Sequence, residues 1–334
     1  MKARRLFRGY CNMQIYENVL LSTILWYQIG GVAKTVLDVA SKEDVYEALE
    51  YIKSNNIAKV FVLGLGSNML FPDEGFDGAI IRFQSQEDGL GVKFVDENIV
   101  EAFAGEFLDS VIQFQFENGL VGLEWAGGLP GTVGAAVRGN VGAFGGEIKD
   151  VFVKAHCIKL LDDGSYEEVT LSSEEMEFLY RSSRVKSEKL IVVSAQFRLS
   201  YGTPEQKLEA SEKYYANITY RQDKHPLDYP NCGSVFKNIS NPDEVSKVIA
   251  TWPDIKSLVS EKWHGKVSMG YIVERLGLRG KQIGAAQISE KHQNFIVNRG
   301  GAKARDVKNL ITEIESKMQE AFGFTPEVEI ETVV

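Results

Sequence analysis

The sequence predicts a protein of mixed helices and strands in two compact units, three at most, and three observations carry that prediction. At 334 residues the chain is long for one domain. From Ser41 onward, apolar runs of strand length alternate with stretches of helical period and are joined by glycine-rich loops. A polar segment rich in lysine and glutamate, Tyr201 to Ala216, then breaks the pattern and reads as a partly helical crossing into a second unit.

The elements follow in order. The opening MKARRLFRGYCN is basic and Val19 to Tyr27 is apolar, but that run is too short to span a bilayer. Gln14, Glu17 and Asn18 also separate it from the basic residues, so no signal peptide is expected. Met13 offers an alternative start, which makes residues 1–12 an extension outside the fold. Ser41 followed by Asp44 resembles a capping box for a helix with Val45, Leu49 and Ile52 on its apolar face, ending near Asn55 and Asn56. KVFVLGLGSN then runs from a strand into a glycine loop. A second helix is expected over Leu108 to Asn118, stopped by Gly119, and strands over 151–161 and 190–200. Beyond the crossing, VSMGYIVERLG and ARDVKNLITEIESKMQEAF read as helices, the latter with Val307, Leu310, Ile311, Ile314, Met318 and Phe322 on one face. PEVEIETV closes the chain as an alternating strand.

Composition narrows the function. With 44% apolar and 25% charged residues the chain is ordinary for a soluble globular protein. A formal charge of -9 repels nucleic acid and anionic membrane, so neither is expected as a partner, and any phosphate must be met by local basic groups. Cys11, Cys157 and Cys232 lie far apart, which argues against a disulfide framework and for the cytoplasm. The four histidines show no metal-ligand spacing, so no metal site is expected.

Two segments carry chemistry. In GLGSN, Gly64 to Asn68, backbone N–H groups and the Ser67 hydroxyl could converge on phosphate; a tight turn after a strand is the alternative. From Gly122 to Gly146 so many glycines and alanines leave few side chains for a core, as close approach of main chain to something flat or anionic requires; a string of turns is the alternative.

Six motifs occur in an order that resembles the UDP-N-acetylenolpyruvoylglucosamine reductase family: GLGSNMLFPDEGFDGAIIRF, GLEWAGGLPGTVGAAVRGNVGAFGGEIKDV, YRSSR, PLDYPNCGSVFKN, GAAQISEKHQNFIVN and TPEVEI. The likeness covers roughly Asn18 to Glu331 and matches the family's compact type, without an extra tyrosine-bearing loop. It implies an α+β flavoprotein: a vanillyl-alcohol-oxidase-like (PCMH-type) FAD-binding domain over 13–205, itself split near 83, a smaller α/β substrate-binding domain over 206–323, and a returning C-terminal strand over 324–334. The departures are small. The family's GGSN stands here as GLGSN with Leu65 between the glycines, GGAV as Gly134-Ala135-Ala136-Val137, TTFRIGG as Ile24 to Gly31 (ILWYQIGG), and AGS as Cys232-Gly233-Ser234. Cys232 reads as an inert buried thiol, with oxidation sensitivity as the alternative. His225 stands where glutamine is expected.

The resemblance implies that NADPH reduces FAD and that the reduced cofactor passes hydride to the terminal carbon of an enolpyruvyl ether, while a proton reaches the carbon bearing the ether oxygen and the carboxylate. Extra charge on that carboxylate needs a cation and a proton source fixed in advance. Arg181 in YRSSR matches the carboxylate clamp, with a surface ion pair to Glu174, Glu175 or Glu177 as the alternative. Ser234 matches the proton donor; by its local sequence alone it is a turn residue. Glu327 matches the group that stabilises or protonates the enol form, although Glu327, Glu329 and Glu331 share one face of an alternating strand, the usual look of a solvated face. Lys237 or a neighbouring basic group could stabilise the Ser234 alkoxide. Cofactor contacts are implied for Gly64, Leu65, Gly66, Ser67, Asn68, Met69, Gly128, Pro130, Gly131, Thr132, Gly134, Asn140, Gly142 and Arg221. Substrate contacts are implied for Tyr180, Lys224, Lys237, Asn238 and His292. A monomer is expected. Another FAD-dependent oxidase or dehydrogenase, or a non-catalytic flavin- or nucleotide-binding protein, are the competing readings.

Overall fold

The computed structural model describes residues 13–86, 91–161 and 163–333; the expected extension 1–12, with Cys11, lies outside the described residues. The chain divides into two compact units. The first comprises the chain up to Val19, Ala33–Leu65 and Asp77–Asp223; the second comprises Leu20–Val32, Gly66–Phe76 and Lys224–Val334.

The first unit holds two main sheets, beside two short two-stranded pairings among its described residues. One has four strands in the order Gln14–Leu20, Val32–Val39, Phe76–Phe83, Val60–Leu63, the last two parallel. Its helix Lys42–Ser54 begins where the sequence predicts: Ser41 Oγ accepts the Asp44 N–H at 3.1 Å and the Asp44 carboxylate returns to the Ala40 N–H at 2.9 Å. Val45, Leu49 and Ile52 are buried, as their spacing predicts. The other sheet is antiparallel, in the order Tyr166–Ser172, Phe152–Leu160, Ile191–Arg198, Ile99–Phe103, Val92–Asp96. The helix Leu108–Glu117 ends at Asn118, and Gly119 turns the chain at φ +70°. The polar stretch after Tyr201 becomes helical at Pro204 and stays so to Lys224, burying Ala210, Tyr214 and Asn217. Tyr214 explains why a mainly polar helix stays seated, since its ring packs on Phe116 at 5.4 Å and its hydroxyl donates to Asp109 at 2.7 Å.

The second unit is built on a small antiparallel sheet of Gln282–Ile283, Ala286–Ile288 and Ile296–Asn298, against which the helix Ala304–Phe322 packs. All six apolar side chains that define its face are buried, each contributing about 1.5–3 kcal/mol. Its first N–H groups, those of Ala304 and Arg305, donate to the Asp73 carboxylate at 2.8 and 3.1 Å, and Gly323 ends it at φ +74°. The C-terminal segment departs from the alternating strand that its sequence predicts. Only Glu331–Thr332 pairs regularly, in parallel with Met69–Leu70, while Phe236 and Val328 form an isolated antiparallel bridge. Because the chain changes partner between 328 and 331, the three glutamates are not equivalent: Glu327 is exposed, whereas Glu329 and Glu331 are half-buried.

Candidate active site

In the first unit the YRSSR motif is a tight turn. Leu179 and Ser182 exchange backbone hydrogen bonds of 3.0 and 3.1 Å, leaving Tyr180 and Arg181 at the tip. Arg181 takes φ +58°, a left-handed conformation uncommon for a residue with a long side chain, and its guanidinium lies over the Tyr180 ring at 5.2 Å. The turn is anchored to the glycine-rich segment at both ends. Asn140, 1% exposed, donates to the Leu179 carbonyl at 3.1 Å, and Ser183 Oγ donates to the Arg138 carbonyl at 2.8 Å. Asn140 also donates to Glu147 and accepts from the Lys149 N–H, so its carboxamide locks turn and glycine segment together.

Charges around this turn are uneven. Burial works against the Glu147 carboxylate, but hydrogen bonds from Lys149 and Asn140 and the charges of Lys149 and Arg181 outweigh it and hold its carboxyl below the usual range. Arg221 donates Nε to the Gly127 carbonyl at 3.0 Å and stacks over Phe144 at 5.2 Å. Burial, with a smaller contribution from the positive charge of Arg181, pushes the Arg221 guanidinium down.

The glycines divide by cause. A Cβ on Gly134 would stand 2.9 Å from Ala104 Cβ, on Gly142 2.7 Å from Glu147 Cγ, and on Gly146 2.4 Å from the Trp125 ring, so packing within the unit accounts for them. At Gly64 a Cβ would meet Thr132 Oγ1 at 2.5 Å. Gly131 differs: its φ is not positive and a Cβ would meet nothing within 4 Å. Neither backbone conformation nor packing within the chain explains a glycine there, whereas a flat or anionic group lying against the main chain does, so Gly131 and the half-desolvated Arg221 fit a bound dinucleotide cofactor.

The loop-forming GLGSN motif straddles the division of the chain, Gly64 and Leu65 closing one segment of the first unit and Gly66 to Met69 opening one of the second. Within the second unit, Asn68 is engaged with the C-terminal segment: its Nδ2 donates to the Glu329 carbonyl at 3.3 Å and its own carbonyl accepts the Glu331 N–H at 2.9 Å.

Ser234 lies half-buried in an irregular segment of the second unit, and its hydroxyl has no hydrogen-bond partner among the described residues. Gly233, before it, has φ +81° and open space where a Cβ would be. Two buried asparagines flank the pair. Asn231 accepts the Gly233 N–H at 3.0 Å while donating to the Tyr229 and Pro226 carbonyls. Asn294 holds both the N–H and the carbonyl of Phe236. Lys237 and Glu327 form an ion pair three residues on, with 19% and 69% of their side chains exposed.

The remaining expected substrate residues are placed as follows. Lys224 is exposed at the end of its helix; Asn238 is exposed, with Oδ1 accepting the Met269 N–H at 3.1 Å. His292 packs edge-on to Phe295 at 4.8 Å and to His225 at 5.6 Å, and burial lowers its pKa. This cluster gives the histidine at 225 a physical reason, since its ring also packs on Phe295 at 5.0 Å. Cys232 is fully buried, and burial pushes its thiol far above its ordinary range, the setting in which a thiol carries little thiolate. Sequence reasoning missed Glu147, Asn231 and Asn294. The two asparagines carry one faint signal, a polar residue inside or beside an apolar run, which is also how ordinary loop residues look.

Comparison with known proteins agrees with the geometry. Residues 33–170 match the family model for an FAD binding domain, and residues 225–333 match that for the UDP-N-acetylenolpyruvoylglucosamine reductase C-terminal domain. Fold and cofactor domain together define an FAD-dependent oxidoreductase. A UDP-N-acetylenolpyruvoylglucosamine reductase of Caldicellulosiruptor saccharolyticus is 36% identical over 96% of this chain and 93% of its own. One from Halalkalibacterium halodurans is 35% identical over 96% and 94%. The crystal structure of the reductase from Thermus caldophilus superposes with a TM-score of 0.70 at 27% identity, covering 97% of this chain and all of the other. The chain belongs to the UDP-N-acetylenolpyruvoylglucosamine reductase family.

Proposed function

We propose that this chain reduces UDP-N-acetylglucosamine enolpyruvate to UDP-N-acetylmuramate, a step of peptidoglycan precursor synthesis, using NADPH and FAD. The observation that carries the reading is a relationship to reductases of this activity that runs along 96% of the chain, through both units. When bound, FAD would supply the hydride-transfer chemistry that links NADPH to the terminal carbon of the enolpyruvyl group.

The protein's own residues handle the charge and the proton. Arg181 pairs its planar fork with the substrate carboxylate as negative charge accumulates there. Ser234 gives its proton to the carbon that bears the ether oxygen, and Lys237 stabilises the alkoxide left behind. Glu327 supports the enol form. The hydroxyl of Ser234 suits this role because nothing within the described residues competes for it. Tyr180, Lys224, Lys237 and Asn238 meet the nucleotide sugar, with Asn238 using its amide nitrogen; His292 supports them from the aromatic cluster. Gly128, Pro130, Gly131, Thr132 and Arg221, with the GLGSN residues, hold the cofactor. We further read the protein as a cytoplasmic monomer. Among the described residues no helix is long and apolar enough to cross a membrane, and Cys157 and Cys232 are free thiols.

The purified protein should be yellow and should oxidise NADPH only when the enolpyruvyl nucleotide sugar is present. A colourless protein opposes every flavoenzyme reading, and NADPH oxidation driven by an alcohol instead favours another oxidoreductase on the same cofactor domain. Ser234→Ala should lose about 10²-fold or more in turnover while NADPH still bleaches the flavin at near-normal rate. Equal damage to both half-reactions would make the serine structural.

A further inference from the structure

We propose that Asn294 is a positioning residue that fixes where the Ser234 hydroxyl stands; the proposal rests on the reading of Ser234 as proton donor.

The segment that carries Ser234 has no strand of its own to hold it. Around it are only isolated bridges, Asn231 with Val297 and Phe236 with Val328. Gly233, immediately before the serine, is conformationally permissive and unpacked, with φ +81° and nothing within 4 Å of a Cβ position. Local backbone preference therefore cannot set the direction of the Ser234 side chain, and the restraint must come from the flanks.

The C-terminal segment holds one edge, the Glu329 N–H donating to the Val235 carbonyl at 2.8 Å and the Lys237 N–H to the Glu327 carbonyl at 2.9 Å, and Asn294 holds the other. The residue is 4% exposed and 58 positions from Phe236 in sequence. Its Oδ1 accepts the Phe236 N–H at 3.1 Å and its Nδ2 donates to the Phe236 carbonyl at 2.8 Å. Its own main-chain carbonyl accepts the Val235 N–H at 2.8 Å. One residue thus makes three hydrogen bonds to the two residues that follow Ser234. A planar group with a donor and an acceptor side by side is what is needed to grip both faces of one peptide residue as a neighbouring strand would, and the carboxamide is such a group. A true strand would extend along the chain and cover Ser234 as well; a side chain stops at Phe236 and leaves the hydroxyl open. Asn294 is itself held from behind, its N–H donating to Nδ1 of His292 at 3.3 Å. Asn231 restrains the other flank through the Gly233 N–H.

The test compares Asn294→Ala and Asn294→Asp with Ser234→Ala in the FAD-loaded enzyme. Asn294→Asp keeps the acceptor for the Phe236 N–H but, when ionised, sets an oxygen against the Phe236 carbonyl; protonated, it regains a donor. Expected is an oxidative half-reaction, prereduced enzyme with the enolpyruvyl nucleotide sugar, slowed about 10-fold or more, with NADPH-driven reduction and substrate KM little changed. In Asn294→Asp that rate recovers as pH falls and the carboxyl protonates; in Asn294→Ala it stays low at every pH. The double variant Ser234→Ala/Asn294→Ala is no slower than Ser234→Ala, because the asparagine acts through the serine. In flavin-free protein, amide hydrogens of Val235 and Phe236 exchange faster in both variants. Equal slowing of both half-reactions, absence of pH recovery, or unchanged exchange overturns the proposal. Effects that multiply in full in the double variant overturn it while leaving the proton-donor reading intact. Wild-type oxidative rates in Ser234→Ala sink that reading and the proposal with it. Should Asn294→Ala fail to fold, Asn294→Asp carries the comparison alone.

Discussion

Lys237 and Glu327 face each other through two independent contacts: the Lys237 N–H donates to the Glu327 carbonyl at 2.9 Å, and the ammonium pairs with the carboxylate. The main-chain bond fixes the register, so removing the ammonium should leave the backbone in place. With the glutamate side chain 69% exposed, the ion pair contributes little to stability, less than about 1 kcal/mol. Lys237→Gln is therefore expected to unfold within that margin of wild type in urea while turnover falls about 10-fold or more. A large loss of stability with unchanged turnover would reverse the assignment.

Arg181 offers a separation of stability from function. Its left-handed backbone, φ +58°, is one that glycine adopts freely and a long side chain does not. Arg181→Gly should leave the denaturation midpoint unchanged or raise it, and should abolish most turnover. Arg181→Lys keeps the charge but loses the planar fork, and kcat/KM should fall by roughly 10-fold or more. Wild-type kinetics in Arg181→Lys would show that only charge is needed there.

The helix Ala304–Phe322 takes its N-terminal cap from Asp73, 231 positions away, which accepts the Ala304 N–H at 2.8 Å. Asp73→Ala should cost about 0.5–2 kcal/mol in equilibrium unfolding, the usual worth of a lost cap. An unchanged midpoint would mean solvent replaces the carboxylate without penalty.

His292 gives a pH dependence whose sign follows from burial. Its pKa is lowered chiefly by desolvation, and the neutral ring accepts the Asn294 N–H at Nδ1. Between that lowered value and the ordinary imidazole value the unfolded chain binds more protons than the native one, so stability falls as pH drops through this window. Above the ordinary value the contribution is constant and the native state is at its best. Urea midpoints measured from about pH 7.5 down to about pH 5 should decline less steeply in His292→Phe than in wild type. Parallel curves would exclude the histidine from the acid sensitivity.

Much of this was legible before any coordinates. The box at Ser41 and Asp44, the face from Val307 to Phe322 and the stop at Gly119 depend on neighbours within a few residues, and the local periodicity states them directly. The candidate catalytic trio Ser234, Arg181 and Glu327 came from motif order. Local chemistry alone read the serine as a turn residue and the glutamate as part of a solvated face. The glycines from Gly122 to Gly146 illustrate the limit: composition registers their density, but cannot separate Gly146, required by the Trp125 ring, from Gly131, required by nothing inside the chain.

By itself, then, the sequence determined the family, the flavin chemistry and the main helices, and it supplied the candidates proposed as reacting side chains. Tertiary structure alone decided what holds those side chains: Asn140 and Ser183 anchoring the turn of Arg181, Asn231 and Asn294 gripping the chain on either side of Ser234, and the change of partner that leaves Glu327 exposed beside Lys237. The reason is physical. A helix face or a cap is settled by groups a turn apart, whereas a carboxamide that stands in for a missing strand acquires its role only when a segment 58 residues distant is folded against it.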